Sequence, residues 1–421
     1  MPLTGNAERQ ALLAALEART GSMIDTLRAL CEINSGSRHL SGIRQVQAGL
    51  HQLFAPLSDA VEYRELAPLS QIADNGSLLE SPCAPMQIFR ARPDAALQIL
   101  FTGHSDTVFP ANSAFNQCEI RANRLHGPGT ADMKGGLVML AEALRWLQQS
   151  PLKDHFGFTL AISPDEEIGS PSSAPVLAEL ATQAHVGMTY EPALEDGTLA
   201  GARKGSGNFT LSARGHSTHA GRDFFSGRNA VLAIADAARL LAQLSDQQQG
   251  ITVNIGQISG GGAVNVVPDQ CICRFNVRMD EASQMAVLEQ QMQQIVQKVQ
   301  ASSGCELTLH GHFNRPPKPM NERQQALFSL LHECGAELGL DIRWVATGGC
   351  CEGNNLAAAG LANIDTLGVR GANIHTEQEY ACTDSFAERA ALTVVFIEKL
   401  IQQTLIERKL SNPDKENPAL C

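Results

Sequence analysis

Residues 97–106 read LQILFTGHSD, an apolar run that stops at a histidine and a carboxylate. A short continuous apolar run closed by polar residues reads as a strand buried on both faces. The two-residue side-chain period of a strand puts His104 and Asp106 on the same side. The pattern recurs twice. Residues 157–167, GFTLAISPDEE, end in Asp165, Glu166 and Glu167, and residues 185–192, HVGMTYEP, end in Glu191 and a proline. Helical stretches at 133–150 and 173–182 separate these runs. Strand and helix therefore alternate as in an α/β domain with a central mixed, largely parallel sheet. Ligands in such sheets gather beyond the carboxyl ends of the strands, where these acids and the imidazole fall.

Upstream, Leu12, Leu13, Leu16, Met23, Ile24, Leu27, Leu30 and Ile33 are spaced by threes and fours, which predicts an amphipathic helix over 7–33 with a break at Gly21. Downstream of about 203 the rhythm changes to strand (FTLSARG), helix (229–244), two strands (ITVNIGQIS, QCICRFNVRM), helix (281–300) and strand (CELTLHGHF). Helix and strand signals then resume over 321–406. The expected organisation is a catalytic domain in two parts, 1–202 and 314–421, interrupted by an inserted α+β lid and dimerisation domain at 203–313. A polar, proline-containing tail from about 410, SNPDKENPALC, is expected to be disordered.

A net charge of −12 argues against nucleic-acid and anionic-membrane partners. Eleven cysteines without metal-binding spacing read as reduced thiols. Glu8, Arg9 and Glu17 interrupt the apolar N-terminal stretch, so it lacks the core of a signal peptide. No run of about 18 apolar residues offers a membrane span. A cytoplasmic protein is expected.

Two further segments carry chemistry. HGPGTADMKGGL (126–137) sets Asp132 in a glycine-rich loop before a helix, matching neither the dinucleotide fingerprint nor a Walker sequence. GVRGANIHTEQEY (368–380) offers His375 in a loop before the last helix. Each motif alone also fits a structural reading: a capped strand end at His104–Asp106, a tight turn at Asp132, a solvated helix-start loop at Asp165–Glu167. Their convergence on loops at one sheet edge is what points to a site. Nitrogen and carboxylate ligands without a thiolate suit zinc, with manganese or cobalt as alternatives. A neighbouring carboxylate then stays free to move a proton.

With GHSDTVFP, GPGTADMKGG, PDEEIGS, YEPA, THAG and the late histidine in order over nearly the whole chain, the sequence resembles the co-catalytic zinc peptidases. That family includes glutamate carboxypeptidase, aminoacylase, acetylornithine deacetylase and succinyl-diaminopimelate desuccinylase. The resemblance implies two zinc ions per chain, one on His104, Asp132 and Glu191 and the other on Asp132, Glu167 and His375, with Asp132 as the bridge. It also implies a cis peptide at Asp132–Met133. Glu166 would serve as general base and acid; by its place two residues after His104, Asp106 is expected to orient that imidazole or to act as a nearby anchor. His219 of GHSTHAG would reach a partner subunit's oxyanion in a homodimer built through the inserted domain. Asn265, Arg278 and Arg315 are the substrate-binding candidates, an arginine fork being suited to a carboxylate. TGGCCEGNN (347–355) departs from the family's usual loop at Cys350, Cys351 and Glu352. Glu191 rather than aspartate resembles the glutamate carboxypeptidase branch.

The function expected is a metal-dependent amidohydrolase of carboxypeptidase type, acting on small peptides or N-acyl amino acids that bear a free carboxylate. An N-acyl amino acid deacylase or desuccinylase is the alternative within the enzymes. A catalytically silent ligand- or partner-binding relative is the alternative outside them.

Overall fold

The structure, a computed structural model, describes residues 5–411. Its centre is a six-stranded sheet in the order Ala60–Arg64, Met86–Ala91, Phe156–Ser163, Leu97–His104, Val186–Thr189, Asn363–Ile364. The first two pairings are antiparallel and the other three parallel, so the sheet is mixed with a parallel core.

The apolar runs are continuous because both faces of this sheet are covered. Ile99 and Phe101 of one strand, and Phe156, Phe158, Leu160 and Ile162 of its neighbour, point into the larger core. There they meet the helices Asn6–Glu17, Thr20–Cys31, Lys134–Leu147 and Ser385–Ser411. Leu100 and Ala161 point the other way, against Leu177 and Leu180 of Ala174–Ala181 and Leu356 of Glu352–Ala358. The N-terminal helix predicted to break at Gly21 breaks earlier, between Glu17 and Thr20. Gly21 sits inside the second helix, where the added backbone freedom of glycine is tolerated. The tail expected to be disordered lies outside the described residues, apart from the end of the last helix at Ser411.

A second hydrophobic core is drawn from residues 209–313 alone. It lies between a four-stranded antiparallel sheet, ordered Thr252–Gly260, Gln270–Met279, Gly205–Arg214, Glu306–Arg315, and the helices Ala230–Ala242 and Ser283–Ser303. The two chain crossings between the units lie side by side: Arg203 N donates to Lys318 O at 2.9 Å and Lys318 N to Arg203 O at 3.0 Å. Between them Asp365 accepts from Arg203 Nε and Lys318 Nζ, each at 2.8 Å. A hairpin that the apolar pattern did not reveal, Leu69–Ile72 with Leu78–Ser81, reaches from the first unit to the second. Arg274 binds Asp74 Oδ1 and Ile72 O there, both at 2.7 Å. No helix among the described residues is long and apolar enough to cross a membrane.

The helix Lys134–Leu147 starts hard against the sheet edge. A Cβ on Gly136 would stand 2.1 Å from the carbonyl oxygen of Tyr190, so only glycine lets helix start and strand end approach this closely. Gly136→Ala is therefore expected to lower unfolding stability by about 1–3 kcal/mol. A chemical-denaturation midpoint equal to that of the unaltered protein would show that the contact yields without cost.

Candidate metal centre

The parallel strands share one direction, so their carboxyl ends meet at one edge. His104 closes its strand opposite Ser163; three residues beyond Ser163 comes the turn Glu166–Ile168. Tyr190 N donates to Thr102 O at 3.3 Å, which carries the third strand's register one step further and delivers Glu191 beside His104. Asp132 comes from the loop before the helix Lys134–Leu147, and the Asp132–Met133 peptide is cis, as the resemblance implies. His375 arrives from a late loop with a left-handed backbone, φ 64°, a conformation uncommon for a residue with a Cβ.

His104 Nε2 lies 3.1 Å from Asp132 Oδ1 and 3.7 Å from Glu191 Oε1. His375 Nε2 lies 3.1 Å from Asp132 Oδ2 and 3.2 Å from Glu167 Oε2. Asp132 thus offers one oxygen to each of two trios, and within each trio the ligand atoms lie within 4.8 Å of one another. Ligands at 2.0–2.1 Å from a tetrahedral cation are spaced by about 3.3 Å, which these separations bracket. The residues fit two divalent cations with a shared carboxylate. The donor set of two imidazoles and three carboxylates suits zinc, cobalt or manganese.

The electrostatics fit the same reading. Burial, then the charge of Asp132, pushes Glu191 up to about 8, and the same two causes hold Glu167 well above the carboxylate range. Burial also acts to raise Asp132, but its hydrogen bonds with His104 and His375 outweigh it and hold this carboxyl below the usual range. Hydrogen bonds to Asp132 and Glu167 push His375 up to about 11. At His104 burial works against the charged ring, yet Asp106, Asp132 and Glu191 together hold it well above its ordinary value. Such a cluster takes up positive charge, as protons or as metal.

The surrounding groups orient these five. His104 Nδ1 donates to the Asp106 backbone oxygen at 2.9 Å, which turns Nε2 toward the acids. The Asp106 carboxylate, 3.5 Å from that Nδ1, accepts from Ser37 Oγ at 2.7 Å and from the backbone N–H groups of Glu166 and Glu167 at 3.2 Å. It therefore anchors the acidic turn more firmly than it does the imidazole. Two acids that the sequence analysis gave no role flank the centre. Glu379 is buried and accepts backbone N–H bonds from Gly129 (3.1 Å), Ala131 (3.0 Å) and Asp132 (3.1 Å). Burial, then the Asp132 charge, raises it to about 7, against the pull of those three donors. Glu352 is buried and bonded to Ser163 Oγ. Glu379 falls four residues after His375, the only signal in the sequence that pointed to it.

A cavity of about 330 Å³ opens over the centre. Asp132, Glu166, Glu167, Glu191 and His375 line it on one side; Leu194, Leu199, Val345 and Ile374 form an apolar wall. Arg278 stands on its rim with Nε on Asn276 Oδ1 at 3.1 Å and Nη1 on the Gly348 carbonyl. Asn265 and His219 do not line this cavity; both are exposed on the second unit, where the bridge of Thr218–His219 to Val266–Val267 holds them. Arg315 does not line it either: it is buried, with Nη2 on Glu166 Oε1 at 2.5 Å.

Comparison with known proteins bears on this geometry. The profile of the family described as Peptidase family M20/M25/M40 matches residues 100–399. Carboxypeptidase G2 of Pseudomonas sp. (strain RS-16) is 24% identical over 382 residues, 87% of this chain and 86% of that one. A succinyl-diaminopimelate desuccinylase of Nitrosococcus oceani is 28% identical over 302 residues, 66% of this chain and 77% of that one. Among solved structures, a tripeptidase of Staphylococcus aureus superposes with a TM-score of 0.71 at 21% identity, covering 91% of this chain and 99% of that one.

Because Glu379 holds the loop that carries the shared carboxylate, Glu379→Gln is expected to weaken metal affinity by roughly 10- to 100-fold, read by chelator competition. An unchanged affinity would reduce Glu379 to a packing role.

Proposed function

The chain belongs to peptidase family M20/M25/M40, and from that premise we propose that it is a dinuclear metal-dependent amidohydrolase of carboxypeptidase type. It cuts the amide beside a free carboxylate in small peptides or N-acyl amino acids. The observation that carries this reading is the Asp132 carboxylate facing two ligand trios, with Glu166 in the same cavity. His104, Asp132 and Glu191 would hold one cation, and Asp132, Glu167 and His375 the other. Zinc comes first by ligand type, with cobalt or manganese as alternatives. When bound, the pair supplies Lewis acidity toward a carbonyl oxygen and toward a water.

The chain's own groups do the rest. Glu166 takes the proton of the attacking water and returns it to the leaving amine, while Asp106 and Glu379 keep the ligands in place. Arg278 at the rim receives the substrate carboxylate in a charge-assisted bond. The apolar wall accepts the adjoining side chain. His219 is exposed in its own chain, beside the exposed apolar side chains Phe224, Phe225 and Val266. Those features support a homodimer through the 203–313 unit in which His219 completes the partner subunit's oxyanion site. The ten cysteines among the described residues are all free, which supports a reducing, cytoplasmic setting.

The similarity to desuccinylases favours a second reading, N-acyl amino acid deacylation at the same centre; a panel varying acyl group against amino acid separates the two. A silent binding relative is disfavoured by the presence of both ligand trios together with Glu166.

Glu166→Ala is expected to reduce turnover by roughly 10²- to 10⁴-fold with metal content intact; near-normal turnover would remove the assignment. Arg278→Ala is expected to weaken use of a carboxylate-bearing substrate by roughly 10- to 100-fold while sparing its carboxamide analogue. Equal losses on both substrates would place the carboxylate elsewhere.

A further inference from the structure

Arg315 is the last residue of the strand Glu306–Arg315, where the chain leaves the second unit and returns to the first. It is 3% exposed. Its Nη2 donates both to Glu166 Oε1 at 2.5 Å and to the Glu166 backbone oxygen at 3.1 Å, and its Nη1 donates to Asn355 Oδ1 at 2.5 Å. One guanidinium therefore grips the carboxylate and the main chain of the same residue. The preceding residue grips the other end of that turn: Asn314 Nδ2 donates to Gly169 O at 2.7 Å, and Asn314 O accepts from Asn355 Nδ2 at 2.9 Å.

Bare, the acids that border its cavity, Asp132, Glu167 and Glu191, repel the Glu166 carboxylate, and cations held by the two trios would instead draw it in, so the centre itself lets this side chain swing. The planar fork of an arginine, always charged and itself locked by Asn355, opposes that swing at a fixed distance and angle. The Glu166 Oε2 atom accepts no hydrogen bond among the described residues, so the grip leaves one carboxylate oxygen free for a proton. Arg278 differs in each respect: it lines the cavity, bonds to Asn276 and Gly348, and touches none of the acids among the described residues.

We infer that Arg315 is a positioning residue for Glu166 and not a substrate ligand, and that through it the crossing between the two units sets where the proton-carrying carboxylate stands. The strand that ends in Arg315 belongs to the sheet of the second unit, so a shift of that unit moves the guanidinium and, with it, the carboxylate. This inference rests on the reading of Glu166 as the proton carrier.

The test pairs Arg315→Ala and Arg315→Lys with Arg278→Ala on a carboxylate substrate and its carboxamide, in fully metallated protein. Arg315→Ala is expected to lower kcat by roughly 10- to 100-fold, the cost of a small misplacement of a reacting group, with KM changed by less than about twofold and the carboxylate preference retained. Added methylguanidine is expected to restore part of kcat. Should the alanine variant fail to fold, Arg315→Lys keeps the charge without the fork and is expected to show the same kcat-weighted loss. A rise in KM with collapse of the carboxylate preference would overturn the inference and return Arg315 to the substrate. A crystal structure of either Arg315 variant supplies a readout independent of activity: Glu166 displaced supports the inference, and Glu166 unmoved overturns it. Normal turnover in Glu166→Ala would instead defeat the reading of Glu166 while leaving the crystallographic answer on Arg315 intact.

Discussion

The carboxylate of Asp132, shared between His104 and His375 at 3.1 Å on each oxygen, is the contact around which the first unit is arranged. Three acids and two imidazoles at such separations are costly to bury without compensating positive charge, because attraction and repulsion both strengthen as water is excluded. The molecule supplies neutralisation in layers. Cations would occupy the two trios, backbone N–H groups converge on Glu379 and Asp106, and buried arginines answer the remaining acids. The site is thus dear in stability and secured by many second contacts, as functional sites commonly are.

The sheet makes this convergence inexpensive in chain length. Parallel strands in register finish at the same level, so three separate stretches deliver His104, Glu166 with Glu167, and Glu191 to one edge without any long loop. The late His375 must come from the far end of the chain. Its loop is tied down by the short strands Gly371–Ala372 and Tyr380–Cys382, which join Arg124–His126 close to the Asp132 loop. Glu379 lies within that same return, so one excursion of the chain brings both a candidate ligand and the clamp on the loop of another.

Legibility from sequence followed physical range. The buried strands were legible because double-sided burial leaves uninterrupted apolar runs such as LQILF, and strand ends are marked by abrupt polarity at His104 and Glu191. The strands and helices of 205–315 were legible through their change of rhythm. The hairpin at 69–81 was not: LSQI buries only Leu69 and Ile72 and carries no strong alternation. The helix break fell at Ala18–Arg19, where no glycine or proline announces it. Among site residues, acids at strand ends could be gathered by position alone. What Arg315 touches could not, because the partner Glu166 lies 149 residues away and an arginine fork reads the same whether it meets a substrate or a neighbour. Glu379 escaped notice for a related reason: its partners are backbone N–H groups, which leave no signature in side-chain chemistry.

The antiparallel bridge between Arg203 and Lys318 has a consequence for how this chain orders itself. The two ends of the intervening stretch meet in direct hydrogen bonds, so to the first unit everything between them is a closed loop. The entropy of closing a loop grows only logarithmically with its length. The host sheet therefore tolerates the long interruption at little more cost than a short one. The inserted stretch, with a core of its own, can condense without threading through its host. Evolution could lengthen, trim or exchange that cassette with the seam at Asp365 left intact, changing what the cavity admits while the strand-end acids stay where the host puts them.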